Sequence, residues 1–115
     1  MRRVLFVCGK NRRRSPTEEA IFSGIPNLEV SSAGTATDAE CRISADLIEW
    51  ADDIVVMESR YARQLRKQYA VALHNKRLVM LDIPDKYTYM QPELVAELQA
   101  KAYRWMADSL RRRDP

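Results

Sequence analysis

The sequence predicts an α/β fold in which helices cover both faces of a doubly wound sheet, a three-layer arrangement of four parallel strands in the order 2-1-3-4. Short apolar runs alternate with segments that carry helical signals, and the connections between them are short. No internal repeat interrupts this alternation. The length of 115 residues fits a single domain over residues 1–115 with enough chain to bury a core.

The first strand is predicted at residues 3–7, an apolar and β-branched run short enough to be buried on both faces. A helix is expected to start at Ser15, because a serine N-cap, a proline at the first helical position and Glu18 three residues after the serine form a capping box. That helix should run to about residue 23. The loop between them, residues 8–14, therefore joins the carboxyl end of a strand to a helix N-terminus.

The remaining elements continue the alternation. Strands are predicted at 28–31, 53–57 and 77–81, and helices at 45–51, at 59–71 and from Pro92 onward. The small residues of the loop 32–37 suit a backbone that packs closely against another segment. In a doubly wound sheet, ligands bind at the carboxyl ends of the strands where the strand order reverses. The loops at 8–14 and 82–91 are therefore the expected sites of chemistry.

Composition and charge exclude several classes of protein. Cys8 and Cys41 have no C-x-x-C spacing, which argues against a disulfide framework and a zinc site. We expect no metal and no cofactor. No apolar run reaches the ~20 residues of a membrane span, and no signal peptide is recognisable, which favours a cytoplasmic protein.

Residues 1–16 carry six cations and no acid, whereas residues 17–58 carry ten acids and one cation. This separation indicates an anionic partner or substrate near the N-terminal cluster.

The loop after the first strand has the pattern C-x5-R-S, from Cys8 to Ser15. Five intervening residues allow backbone N–H groups to point into a semicircle, and the helix N-terminus adds positive potential, so the loop should bind a phosphate-sized anion. The predicted phosphate-binding residues are Gly9, Lys10, Asn11, Arg12, Arg13 and Arg14. A thiolate at Cys8 would be a nucleophile under the anion, and the guanidinium of Arg14 would hold two phosphoryl oxygens.

With these motifs the sequence resembles the low-molecular-weight protein tyrosine phosphatases. The resemblance is carried by Val4–Cys8, Asn11, Arg14-Ser15-Pro16, Glu19, Val30–Thr35, Ala51–Met57 and Ile83-Pro84-Asp85. These segments follow the family's order over most of the chain. The resemblance implies the flavodoxin-like form of the predicted fold, and hydrolysis of a phosphorylated protein or other phosphomonoester without a metal, through a phosphocysteine intermediate.

The resemblance also implies roles for individual residues of the first loop and its surroundings. Cys8 would be the nucleophile, Arg14 the phosphate clamp, and Ser15 the hydroxyl that hydrogen-bonds the thiolate and assists its departure. Asn11 and Ser32 match residues that brace the loop by hydrogen bonds.

The family's general acid lies in a late Asp-Pro-aromatic loop, and the closest match here is Pro84-Asp85-Lys86-Tyr87. Asp85 is therefore the candidate for protonating the leaving oxygen and then activating water. Asp82 is the alternative acid. Tyr87 would match an aromatic wall of the substrate pocket.

Three departures from the family pattern bear on the pocket. Lys10 stands where the family usually has glycine, so the loop requires a φ that a lysine can adopt. Only eight residues separate Thr35 from Ser44, where the family has a longer segment with its own helix, which predicts a shallower and more open pocket. Arg12 and Arg13 add cations at the rim, which favours substrates with more negative charge than one isolated phosphotyrosine.

Two other functions are compatible with the sequence. A phosphate-reading or nucleic-acid-binding module would keep the anion-binding loop and use its cations together with the basic segment 111–113. An arsenate reductase on the same fold would need further cysteines, and Cys41 is the only other one in the chain. The pattern from Cys8 to Ser15, together with Asp85, favours the phosphatase.

Overall fold

The computed structural model describes residues 2–11 and 14–111. Strands and helices alternate along these residues. The elements are β1 (Arg2–Cys8), α1 (Arg14–Phe22), β2 (Leu28–Gly34), α2 (Ala45–Trp50), β3 (Asp53–Val56), α3 (Ser59–Gln68), β4 (Arg77–Met80) and α4 (Pro92–Arg111). Within the described part of the chain, no helix is both long and apolar enough to span a membrane.

The four strands form one sheet in the order β2-β1-β3-β4, and every neighbouring pair is parallel. This confirms the predicted fold class. Right-handed crossovers put α1 on one face of the sheet and α2 and α3 on the other, because the chain reverses its direction across the sheet after β2. Phe6 of the central strand packs against Phe22 of α1 and Trp105 of α4, with ring centroids 6.2 and 5.6 Å apart. Helix α4 therefore shares the face of α1.

The helix after the first loop begins earlier than the sequence predicts. It starts at Arg14 and contains Ser15 in its first turn, so the predicted N-cap at Ser15 and the capping box with Glu18 are wrong. The Ser15 hydroxyl instead lies 2.9 Å from the sulfur of Cys8, and Glu18 is fully buried. Tertiary contacts of these two side chains outweigh the local capping preference.

The loop after β2 packs directly on the loop after β1. A Cβ atom at Gly34 would lie 2.4 Å from the carbonyl oxygen of Gly9 and 2.9 Å from the amide nitrogen of Asn11, so any side chain there would displace the first loop. Three N–H groups of the second loop donate to carbonyls of the first, namely Thr35 to Cys8, Ala36 to Gly9 and Glu40 to Lys10, at 2.9–3.0 Å. The expectation of close backbone packing in this segment is confirmed.

Candidate active site

Cys8 ends β1, and its buried sulfur is surrounded by polar groups of the following loop. The sulfur lies 2.9 Å from Ser15 Oγ and accepts a hydrogen bond from the Asn11 N–H at 3.2 Å. The Ser15 hydroxyl also donates to Asn11 Oδ1 at 2.9 Å. Asn11 has a φ of 57°, a left-handed conformation that asparagine adopts more readily than most residues. This turn directs its N–H to the sulfur.

Lys10 is not strained at the position where the family usually has glycine. Among the described residues, the non-glycine positions with positive φ are Asn11, Asn27, Asn75, Asp82 and Met90. The left-handed turn of the loop therefore falls on Asn11, one position after Lys10. The Lys10 ammonium pairs with Asp38 of the neighbouring loop at 2.6 Å, which adds a side-chain contact to the backbone bonds between the two loops.

The Arg14 guanidinium is buried and fixed by three acceptors. Its Nη1 donates to Glu58 Oε2 at 2.5 Å and to the Ile83 carbonyl at 2.7 Å. Its Nη2 donates to the Tyr61 hydroxyl at 2.8 Å. Since a guanidinium has five N–H donors, the Nε–H and one Nη2–H are not used in hydrogen bonds with the described residues. These two adjacent nitrogens form a fork that matches two oxygens of a phosphoryl group.

Glu58 and Tyr61 keep this guanidinium charged and oriented. Burial, the largest single effect, lowers the pKa of Arg14, but the interactions with Glu58, Tyr61 and Asp85 together outweigh it and the net pKa is raised. Burial likewise raises the pKa of Glu58, yet the hydrogen bonds and positive charges of Arg14 and Arg60 together lower it overall. Burial also raises the pKa of Tyr61, so its neutral hydroxyl serves as the acceptor between Arg14 and Arg60, with the Arg60 guanidinium 2.9 Å away.

A cavity of about 460 Å³ opens over Cys8 and Arg14, within the size range of small-ligand sites. It is bounded by the loops after β1 and β2, the first turns of α3, and the loop after β4. The lining residues are Cys8, Gly9, Lys10, Arg14, Thr35, Ala36, Arg60, Tyr61, Gln64 and Asp85. The short loop after β2 contributes only Thr35 and Ala36 to this lining.

Of the two acids considered from the sequence, Asp85 reaches the cavity. Its Oδ1 lies 3.9 Å from Arg14 Nε, and its side chain is half exposed. Asp82 is not among the lining residues, and it adopts a φ of 61° with its carbonyl oxygen accepting from Lys101 of α4 at 2.7 Å. The geometry therefore favours Asp85 over Asp82 as an acid acting in the cavity.

Tyr87 does not line the cavity, contrary to the expectation of an aromatic wall at this residue. Its hydroxyl donates to Glu97 of α4 at 2.6 Å, and Glu97 also pairs with Lys101 at 3.1 Å. Tyr87 thus fastens the loop of Asp85 to α4. The aromatic residue that lines the cavity is Tyr61, which was not predicted from the sequence. Its position in the first turns of a helix that starts at the ligand-binding edge of the sheet could have indicated it.

The other predicted site residues have different outcomes. Ser32 donates a hydrogen bond to Glu19, so it joins β2 to α1 and does not contact the phosphate loop through that bond. Arg12 and Arg13, predicted to bind phosphate, lie outside the described residues. Cys41 is exposed. Among the residues that the structure describes, no group of three or more His, Cys, Asp or Glu side chains could hold a metal ion.

Comparison with known proteins adds a family match. Residues 3–73 match the family model described as low molecular weight phosphotyrosine protein phosphatase. A comparison with curated proteins finds no match.

Several solved structures have a similar fold. The YwlE arginine phosphatase from Geobacillus stearothermophilus is 21% identical with a TM-score of 0.74, over 100% of this chain and 99% of that chain. The low molecular weight protein tyrosine phosphatase SP-PTP from Streptococcus pyogenes is 18% identical with a TM-score of 0.77, over 94% and 93%. The tyrosine phosphatase Wzb from Escherichia coli K30, in complex with phosphate, is 20% identical with a TM-score of 0.76, over 92% and 96%. At sequence identities of 18–21%, these comparisons show a similarity of fold alone.

Proposed function

We propose a specific reaction from one premise: this chain belongs to the low molecular weight phosphotyrosine protein phosphatase family. The reaction is hydrolysis of a phosphomonoester, with phosphotyrosine in a protein as the first candidate substrate, through a phosphocysteine intermediate on Cys8. One observation carries the proposal. Cys8, Arg14 and Asp85 line the same cavity, and the Asp85 carboxylate lies 3.9 Å from Arg14 Nε.

In the first step, the Cys8 thiolate attacks phosphorus, so that an S–P bond forms while the bond to the leaving oxygen breaks. Asp85 donates a proton to that oxygen, which leaves as a neutral hydroxyl group. The Nε–H and Nη2–H of Arg14 stabilise the charge on two oxygens of the transferring phosphoryl group. Glu58 and Tyr61 support this step by holding the guanidinium in place.

In the second step, water attacks the phosphorus of the phosphocysteine, and Asp85 accepts its proton. The S–P bond breaks, which releases inorganic phosphate and restores the thiolate. The Asn11 N–H, 3.2 Å from the sulfur, stabilises the departing thiolate, and the Ser15 hydroxyl, 2.9 Å away, does so once its single proton rotates from Asn11 Oδ1 to the sulfur. The same two contacts therefore assist both the attack and the departure of Cys8.

The first test is turnover of phenyl phosphate and p-nitrophenyl phosphate between about pH 5 and 7, a range suited to general acid–base catalysis by a carboxyl group. We expect vanadate-sensitive hydrolysis that is lost in Cys8→Ser. Asp85→Asn should lower kcat for phenyl phosphate by about 10²- to 10⁴-fold, because the phenolate then leaves without a proton.

Asp82→Asn is the matched control, since Asp82 lies in the same loop but outside the cavity, and its kcat should stay close to that of the wild type. Equal losses in the two variants would contradict the role of Asp85. No turnover of any aryl phosphate by the wild type would reject the proposed function. Because one structural neighbour is an arginine phosphatase, the substrate panel includes a phosphoarginine peptide beside the phosphotyrosine peptide.

A further inference from the structure

Helix α3 carries a row of exposed cations that begins at the rim of the cavity. Arg60 lines the cavity, and Arg63 and Lys67 are exposed on the following turns. Residues three and four positions apart are neighbours on a helix surface, so these three side chains form one row, here called the α3 stripe. The chain contains no acidic residue from Ser59 to Leu81.

The charges of the α3 stripe are available to a ligand to different degrees. Arg60 is positioned by Glu58 at 3.2 Å and by the Tyr61 hydroxyl at 2.9 Å, but more than half of its side chain is exposed. Arg63 and Lys67 make no ion pair with any residue in the ranges that the structure describes. Arg60 is thus partly neutralised by Glu58 at the rim of the cavity, whereas the charges of Arg63 and Lys67 beyond it are available to a ligand.

The direction and length of the stripe fit an extended peptide. Helix α3 starts at the carboxyl edge of β3 and leads away from the cavity. Lys67 lies roughly 10 Å beyond Arg60 along the helix axis, at about 1.5 Å per residue. An extended peptide covers that distance in about three residues at roughly 3.3 Å each.

We propose that the α3 stripe binds acidic residues located within about three positions of the phosphorylated side chain of a protein substrate. This inference rests on the proposed function and names the substrate class of the same site. The phosphorylated side chain occupies the cavity, and the acidic segment runs beside Arg63 and Lys67. Charge complementarity of this kind raises the association rate and fixes the register of the bound chain.

The test measures peptide binding to Cys8→Ser, which prevents turnover during the measurement. Two phosphotyrosine peptides of equal length are compared by fluorescence anisotropy, one with glutamates at the three positions on either side of the phosphotyrosine and one with glutamines there. We expect the acidic peptide to bind about fivefold to tenfold more tightly at low salt, in keeping with a few exposed charge pairs. The preference should shrink as added salt screens those pairs.

Arg63→Gln and Lys67→Gln, each introduced into Cys8→Ser, should together remove most of this preference. Arg3→Gln is the matched control for Arg63→Gln, because Arg3 is an exposed arginine near the amino end of β1, at the opposite edge of the sheet. In the active chain, Arg63→Gln and Lys67→Gln should leave kcat for phenyl phosphate unchanged, since neither residue lines the cavity.

Equal affinity for the two peptides, or equal loss of preference in Arg3→Gln and Arg63→Gln, would overturn the inference. Displacement of the acidic peptide by single-stranded DNA at similar concentrations would also overturn it, in favour of a nucleic-acid surface. An acidic preference that depends on Arg63 and Lys67 supports the inference even if the wild type hydrolyses no aryl phosphate. The absence of aryl phosphate hydrolysis by the wild type would reject only the proposed reaction.

Discussion

Arg14→Lys is expected to lower kcat/KM for phenyl phosphate by about 10³-fold, the scale for losing a preorganised donor to a transition-state oxyanion. Lysine keeps the positive charge, but its ammonium cannot reproduce a planar fork. In the structure, Arg14 donates to Glu58, Tyr61 and the Ile83 carbonyl at once, and this leaves two adjacent donors for the substrate. A single ammonium group cannot hold these partners and also bind two phosphoryl oxygens.

The measurement is steady-state kinetics together with thermal unfolding, so that loss of activity can be separated from loss of structure. Arg63→Lys is the control, because it makes the same exchange at an exposed position of α3 outside the cavity. That variant should keep the kcat/KM of the wild type. A folded Arg14→Lys protein with nearly wild-type kcat/KM would contradict the role of Arg14 as phosphate clamp.

Glu18→Gln is expected to abolish a pH-dependent loss of stability in the wild type. Glu18 is completely buried, and neither carboxyl oxygen has a hydrogen-bond partner among the described residues. Burial raises the pKa of Glu18 well above the usual range. The cost of ionising this side chain in the core therefore acts against the folded state.

The direction in which stability changes with pH follows from proton binding by the folded and unfolded states. An unfolded glutamate ionises near pH ~4.3, whereas folded Glu18 keeps its proton to a higher pH. Between the two pKa values the folded state binds more protons, so the free energy of unfolding falls as pH rises, by up to about 1.4 kcal/mol per pH unit. Above the pKa of folded Glu18, the loss of stability is complete, and the contribution of Glu18 to the free energy of unfolding no longer changes with pH. Glutamine has no such titration, so Glu18→Gln should gain stability relative to the wild type over this range.

Urea unfolding at several values between about pH 5 and 8 measures this difference. Glu49→Gln is the control, because it makes the same exchange at an exposed position of α2, and its stability should follow the wild type at every pH. If the free energies of unfolding of Glu18→Gln and the wild type run parallel across the range, the account of Glu18 as a buried neutral acid is wrong.

The features that the sequence predicted correctly are those with a local signature. The alternation of short apolar runs with helical segments was sufficient for the parallel sheet, because connections in such folds are short and right-handed. The flavodoxin-like order of its strands was implied by the resemblance to the family. The small residues from Ser32 to Thr37 likewise indicated close backbone packing, which Gly34 makes against the first loop.

The features that could not be predicted from the sequence depend on contacts between distant segments. Ser15 has the residue type and the spacing of an N-cap, yet its hydroxyl is engaged with Cys8 and Asn11. Tyr87 sits in the expected loop, but its hydrogen bond to Glu97 holds it against α4. Tyr61 belongs to no motif, and only the fold brings its hydroxyl to Arg14. None of these pairings has a sequence pattern, since each depends on how two elements pack.

The central claim is that Cys8 becomes phosphorylated during turnover. The most direct measurement mixes the protein with excess p-nitrophenyl phosphate, stops the reaction with acid before completion, and locates the phosphoryl group by mass spectrometry of peptides. The Asp85→Asn variant is included because p-nitrophenolate needs little protonation to leave, whereas slower attack by water on the phosphocysteine should increase the amount of intermediate. We predict a phosphoryl group on the peptide that contains Cys8, in both wild type and Asp85→Asn, and none in Cys8→Ser. A phosphoryl group on another residue, or hydrolysis that persists in Cys8→Ser, would contradict the account.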